Sequence, residues 1–398
     1  MLRGSADGPP TFEGCAARLR ATVDAFGGRI GALVVDADNG AELLAIAADE
    51  GFVPASNVKL LTAAVALHTL GPGATLTTRL LHTGDVHAGE LRGDLILRGG
   101  GDPSFAADGL QLLVQAVRSL GVRRIAGRVR GDDRWLGGEH RGRGWEWDDL
   151  DQDYAAPFGA LCWEGNVTTV VDADGASRRV AVADPGAAAA GALAAALALG
   201  GVEVVGGDVA TDGLEHGLGT VHSAPIATLL QPMLRDSDNL YAEQLWRVAA
   251  KVATGDGGSA SAAAHAEREL CALGVDTIGL VQVDGSGLSR LALARPRQLV
   301  AVLQAMLRAP YREAVWPALP VGGRTGTLRD RLVGAAVRGH VHAKTGTLTR
   351  VAALSGYLER PGRTPLVFSV VWNDFLCDPA EAQLTIDQFV AALATARP

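Results

Sequence analysis

Lysine is nearly absent from this sequence. Of 36 Lys and Arg residues only three are lysine: Lys59, Lys251 and Lys344. Arginine stays protonated inside proteins and is a poor base, whereas a desolvated lysine can lose its proton near neutral pH. A lysine kept against this background is a candidate for chemistry that arginine cannot do. Lys251 ends a helical stretch and reads as a partner for that helix's negative end. Lys59 and Lys344 require another reason.

Other absences narrow the class of protein. There is no stretch of 18 or more uncharged apolar residues, so no segment reads as a membrane-spanning helix. The Ala-rich run 186–201 is too short and too small-residued to be held in a bilayer and reads as a surface helix, leaving at most peripheral membrane association. The first ten residues show no apolar signal core. Like charges form no run and the formal net charge is −8, which disfavours a nucleic-acid partner but admits a cationic substrate. Four cysteines, Cys15, Cys162, Cys271 and Cys377, lie far apart without a CxxC. They argue against zinc and read as buried thiols, although one disulfide is open and spacing cannot pair it. No internal repeat of 20–50 residues is present.

What is there is a chain of 398 residues, 48% apolar and 20% charged, long enough for two or three domains with substantial cores. Thr11–Phe26 has the pattern of a capped amphipathic helix. Arg29–Asp36 and Ala41–Ala47 read as strands about the Asn39-Gly40 turn. Ser56 then opens a strongly helical segment, VKLLTAAVALHTL. From about residue 73 to 213 short strands, turns and isolated helices alternate, which reads as a β-rich insertion of two small domains. Ile226–Val252 reads as one long helix containing Ser237 and Asn239, followed by a Gly/Ser/Ala linker at 254–264. Val281–Asp284 reads as a short strand, and 341–348, 350–358 and 365–372 as three consecutive strands before a closing helix at 378–395.

Three short signals stand in order. Ser56-Asn57-Val58-Lys59 is S-x-x-K at a helix start, Ser237-Asp238-Asn239 is S-D-N, and Lys344-Thr345-Gly346 is K-T-G on a strand. Each alone is common. Together, in order, and taking two of the three lysines, they are a signature of penicillin-binding proteins and class A β-lactamases. The chemistry fits the residue types. A serine hydroxyl needs an adjacent base, and i,i+3 spacing places the Lys59 amine on the Ser56 face of the helix. Burial and a helix N-terminus disfavour an ammonium there, and the same N-terminus aims the Ser56 N–H at a developing oxyanion. Ser237 suits a proton relay, Asn239 a substrate amide, and Lys344 a substrate carboxylate. Thr345 and Thr347 add hydroxyls, and Gly346 lets an extended peptide approach the strand.

At these residues the chain resembles the class C low-molecular-mass penicillin-binding proteins, the D-alanyl-D-alanine carboxypeptidase/endopeptidase group of peptidase family S13. Family-like stretches also include Gly99-Gly100-Gly101-Asp102-Pro103, Asp284–Arg290 (DGSGLSR), Gly326-Thr327-Leu328 and Leu354-Ser355-Gly356-Tyr357. The resemblance implies an α+β fold: a transpeptidase/β-lactamase-like domain, an antiparallel sheet flanked by helices, formed by 1–72 and 214–398 and split by the insertion 73–213. It implies a serine D-Ala-D-Ala carboxypeptidase or endopeptidase with an acyl-enzyme on Ser56. It further implies peptidoglycan stem peptides and β-lactams as partners, no cofactor, no metal, and an extracytoplasmic location. The alternatives are a serine β-lactamase and a non-catalytic penicillin-binding sensor. Oligomeric state is not legible.

Three features stand outside the trio. Residues 145–154 cluster acids and aromatics. They read as a solvated acidic loop or, more specifically, as a place where Asp149 and Tyr154 meet a cationic amine of the stem peptide. His340 and His342 alternate on the strand entering Lys344 and, with no third ligand in sight, read as a one-faced strand pair. Arg324–Leu328 (RTGTL) nearly duplicates Lys344–Leu348 (KTGTL) and reads as a decoy rather than a repeat.

Overall fold

A computed structural model describes residues 10–397; the leading segment, which shows no signal core in sequence, therefore lies almost wholly outside the described residues. The chain folds as two compact units. Of the described residues, one comprises 10–69, 230–238 and 263–397, the other 70–229 and 239–262. The division falls elsewhere than at 73 and 213 for a physical reason. The strand Glu215–His222 pairs along Thr77–Thr83 and so belongs to the second unit's sheet.

In the first unit five antiparallel strands lie in the order Val341–Leu348, Val351–Arg360, Arg363–Asn373, Arg29–Asp36, Glu42–Ile46. The central strands read as continuous apolar runs (ALVV, LVFSVVW) because both faces are covered. One face carries the first and last helices, Phe12–Phe26 and Pro379–Leu393. Their Leu19, Val23, Phe389 and Val390 pack with Val34, Leu354, Phe368 and Trp372. Against the other face lies Pro296–Arg308, and the Tyr357 hydroxyl donates to Leu303 O at 2.8 Å there.

The helix Val58–Leu70 is buried continuously from Val58 to Leu67. An amphipathic stripe is missing because the helix has no solvent face. Its polar exceptions must therefore be satisfied internally. Thr62 Oγ1 donates to Gly285 O at 2.7 Å, and Lys59 is bonded as described below.

The second unit holds two four-stranded sheets and a two-stranded ribbon. Helices Ala107–Ser119 and Pro185–Leu199 bury Leu110, Leu113, Val117, Leu193 and Leu197 with Leu80, Leu95 and Leu97 of one sheet. The Ala-rich segment is, as expected, a surface helix: Ala189, Leu193, Ala196 and Leu197 are buried against the sheet, while Ala187, Gly191, Ala195 and Leu199 are exposed.

Several local expectations are corrected. The helix expected to run unbroken from Ile226 to Val252 is two, Ile226–Arg235 and Asn239–Thr254, because Ser237 takes φ +65° and Asp238 N–H bonds Pro232 O. The expected linker is helical from Ser259. The strand at 281–284 reduces to a single bridge, Val281 to Leu293. All four cysteines are free, with Cys15 and Cys162 buried, Cys377 partly buried and Cys271 exposed.

Candidate active site

Ser56 sits in a short 3-10 turn, Ala55–Asn57, that runs directly into the buried helix. One turn on, Lys59 is fully buried. Its Nζ lies 2.9 Å from Ser56 Oγ and donates to Ser286 O at 2.8 Å. The Ser286 carbonyl is presented by the DGSGLSR turn. Within this turn the buried Asp284 carboxylate accepts from Gly287 N and Ser289 N at 2.9 and 2.8 Å. Gly287 has φ +76°, and a Cβ there would stand 2.0 Å from Ala55 O. The turn therefore clamps the serine turn from behind, and only glycine allows it.

Lys344, also fully buried, lies on the edge strand of the first sheet. Its Nζ donates to Ser237 Oγ at 2.8 Å and to Thr345 O at 2.9 Å. Burial holds the Lys344 pKa well below the ordinary lysine range, and the nearby charge of Lys59 pushes it the same way. The left-handed backbone at Ser237 turns this hydroxyl toward the edge strand and costs on the order of 1 kcal/mol or more, a strain common at functional sites. A Cβ at Gly346 would stand 2.7 Å from Pro54 O, so glycine lets the edge strand lie against the serine turn.

Ser56, Lys59, Ser237, Lys344, Thr345 and Gly346 are thus gathered in the first unit. Thr347, one residue on, is exposed and receives a long contact from Gln383 Nε2 (3.4 Å). Asn239, Asp149 and Tyr154 belong to the second unit. There Asn239 Nδ2 donates to Tyr154 O at 2.9 Å and Tyr154 Oη donates to Asp149 Oδ1 at 2.8 Å. Desolvation, then the Asp149 carboxylate, push the Tyr154 phenol up to about 12.

The near-duplicate RTGTL is no decoy. Thr327 Oγ1 lies 2.8 Å from Thr345 Oγ1, and Gly326 packs against the backbone of Arg235, so this segment buttresses both Lys344's strand and the stretch leading to Ser237. Its likeness to K-T-G is the signal that sequence offers. DGSGLSR, in sequence no more than a family-like stretch, supplies the second partner of Lys59. His342 stacks on Trp316 (4.4 Å between ring centroids), and both His340 and His342 face Glu359 at 3.7–3.8 Å. Among the described residues no cluster of three or more His, Cys, Asp or Glu is arranged to hold a metal.

A serine hydroxyl hydrogen-bonded to a buried amine lies in the same unit as a second hydroxyl–amine pair, Ser237 with Lys344 of the edge strand, an arrangement chemically suited to acyl transfer. The model of the D-Ala-D-Ala carboxypeptidase 3 (S13) family matches residues 18–175 and 164–396. A D-alanyl-D-alanine carboxypeptidase of an Actinomadura species is 31% identical, with 89% of this chain and 81% of the relative covered. A carboxypeptidase of Mycolicibacterium smegmatis is 32% identical over 92% and 81%. The crystal structure of penicillin binding protein 4 from Haemophilus influenzae superposes with TM-score 0.83 at 22% identity over 94% and 98%, which establishes the shared transpeptidase-like fold. The chain belongs to the S13 family of D-Ala-D-Ala carboxypeptidases and is a peptidase of that class.

Proposed function

We propose that the protein is a serine D-Ala-D-Ala carboxypeptidase and/or DD-endopeptidase acting on peptidoglycan stem peptides outside the cytoplasm, and that penicillins acylate it at Ser56. The observation that carries this reading is the buried Lys59 amine 2.9 Å from Ser56 Oγ, with no room for the pair to be a surface accident. Ser56 Oγ attacks the carbonyl of the penultimate D-alanine while its proton passes to the Lys59 amine. The tetrahedral oxyanion is held by the Ser56 N–H at the helix start. The proton then moves by way of Ser237 to the departing amine, the C–N bond breaks, and an ester remains on Ser56. Water, deprotonated by the same Lys59, hydrolyses this ester.

In this reading Lys344 and the Thr345 and Thr347 hydroxyls receive the terminal carboxylate, Gly346 admits the extended peptide, and Asn239 holds its amide. Asp149 and Tyr154 meet a cationic amine on the stem. The relatives support the reading: those in Actinomadura and Mycolicibacterium are named carboxypeptidases, and a Bdellovibrio bacteriovorus endopeptidase of similar fold (TM-score 0.56, 16% identity) has been crystallised acylated by penicillin G.

The test is intact-mass spectrometry with benzylpenicillin on wild type and Ser56→Ala, followed by D-alanine release from a D-Ala-D-Ala peptide and cleavage of a cross-linked dimer. A slow-decaying adduct in wild type alone, with either hydrolysis, is expected. An adduct lost within seconds points to a β-lactamase, and a stable adduct with neither hydrolysis to a sensor. No adduct on folded wild type removes Ser56 from the role of nucleophile.

A further inference from the structure

The second unit carries two hollows that the acyl-transfer reading does not use. One, of about 200 Å³, is lined by Thr75, Thr77, Arg79 and Trp135. The other, about 610 Å³, is lined by Thr77, Arg79, Thr220 and His222. They share Thr77 and Arg79, and the Thr75 hydroxyl lies 3.3 Å from the His222 ring, so they form one trough on the outer face of the sheet. Thr77 pairs with His222 and Arg79 with Thr220 across the two strands, which puts all four side chains on the same face.

The charge in this trough is one-sided. None of the described residues that line either hollow is acidic. Arg98 also lines the first hollow, but it is committed to Asp132 (2.7 Å) and bidentately to Glu215 (2.8 Å). Arg79, directly opposite Arg98 in the next strand, has no carboxylate partner among the described residues. Its exposed guanidinium is thus a fork of donors placed between two hollows and left for a ligand. Beside it the Trp135 ring is 37% exposed at the wall of the first hollow, with Lys251 Nζ 5.9 Å from its centroid. An aromatic wall, three threonine hydroxyls and one unclaimed guanidinium match an acidic sugar. The ring takes the apolar face of a pyranose, the hydroxyls take its hydroxyls and amide, and the guanidinium takes a carboxylate in two parallel hydrogen bonds. The larger hollow is of ligand size.

We infer that this trough is a binding subsite for the carboxylate-bearing amino-sugar strand of the cell wall, in which Arg79 receives the lactyl carboxylate of a muramyl residue lacking its peptide. The inference rests on the peptidoglycan reading for its choice of glycan, and the site it assigns is separate from the one that reading uses. The second unit then holds the glycan strand by residues already freed of stem peptide.

The experiment uses the full chain and two soluble probes of equal length. One is peptide-free glycan of alternating N-acetylglucosamine and N-acetylmuramic acid; the other is an N-acetylglucosamine oligomer without carboxylates. Binding is followed by calorimetry for wild type, Arg79→Met, Arg79→Lys and Trp135→Ala, and benzylpenicillin acylation is measured on each as a check of the intact first unit. Wild type is expected to bind the muramyl glycan about tenfold or more tighter than the neutral oligomer, as one charge-assisted contact provides. Arg79→Met should abolish that preference, Arg79→Lys should keep part of it, and Trp135→Ala should weaken both probes, with acylation unchanged throughout. Equal binding of the two probes by wild type, no binding of either, or a preference that survives Arg79→Met would overturn the inference. Absent acylation in wild type would overturn the hydrolase reading instead, and the glycan preference would stand or fall on its own result.

Discussion

Lys344→Met should make the protein more stable and less active, with a pH signature that identifies the cause. Lys344 is fully buried, its two hydrogen-bond partners are uncharged, and both burial and Lys59 lower its pKa. The unfolded chain titrates this lysine near its ordinary value of about 10.4. Between the depressed folded pKa and that value the unfolded state binds more protons. Stability therefore rises with pH across this window, by at most ~1.4 kcal/mol per pH unit. The deficit is full below the folded pKa and is recovered as pH approaches the unfolded one. Methionine removes it. The substitution forfeits two hydrogen bonds of about 1 kcal/mol each but relieves a desolvation cost of several kcal/mol, so a net gain of roughly 1–3 kcal/mol is expected at neutral pH. Denaturant unfolding of the two proteins side by side at pH 7, 8.5 and 10 should show the variant's advantage shrinking as pH rises. Because the two lysines repel, the change in slope belongs to the pair. Penicillin acylation should fall about 10- to 100-fold with the loss of a charge-assisted contact of ~1.5–3 kcal/mol. A variant that is less stable throughout, or an advantage independent of pH, would refute the picture of a costly buried amine.

Thr327→Val removes the Thr327–Thr345 bond; acylation should slow roughly 3- to 10-fold with a stability change of about 1 kcal/mol or less, and Thr327→Ser should restore it. Gly287→Ala forces a Cβ onto Ala55 O at positive φ and should cost about 3 kcal/mol or more, read as a lowered unfolding midpoint together with lost acylation. Asp149→Asn should lower the Tyr154 phenol from its value of about 12, since a neighbouring carboxylate disfavours phenolate, although the larger contribution of desolvation remains. Phenolate absorbance during alkaline titration checks this, and an unchanged titration would dissolve the pair. The same variant should lose preference for stems with a free amine, measured as hydrolysis of amine-bearing against acylated stem peptides.

Much of the first unit is legible in the sequence because its signals are local. Strands buried on both faces announce themselves as apolar runs, and S-x-x-K at the start of an apolar helix fixes which face the lysine takes. What escapes depends on contacts distant in sequence. The break at Ser237 is made by a carbonyl of Pro232 and by the bond from Lys344, 107 residues away; Pro232 within the supposed helix is the one local hint. The Ala-rich helix carries no periodicity by which to tell buried from exposed, so its place against Leu80 and Leu97 cannot be read from it. RTGTL looks in sequence like a failed copy of KTGTL, whereas in space the two segments are neighbours, joined through Thr327 and Thr345.

The scarcity of lysine can now be connected to the site's construction. Lys59 and Lys344 are each fully enclosed, and hydroxyl and carbonyl oxygens position both amines: Ser56 and Ser286 for one, Ser237 and Thr345 for the other. At Lys344 these oxygens fix where the amine points without supplying the full counter-charge that would hold its proton in place. An arginine in either position would bring a guanidinium that cannot give up its charge, and its planar fork would not fit the single Nζ position between a serine and a backbone carbonyl. The same enclosure that makes Lys344 a stability cost makes it responsive. A carboxylate arriving from a substrate would be the first full negative charge to meet it, and would restore the ammonium that burial disfavours. Substrate docking and the protonation state of Lys344 are thereby linked, so acylation by a carboxylate-bearing penicillin should outpace acylation by its methyl ester more steeply in wild type than in Lys344→Met.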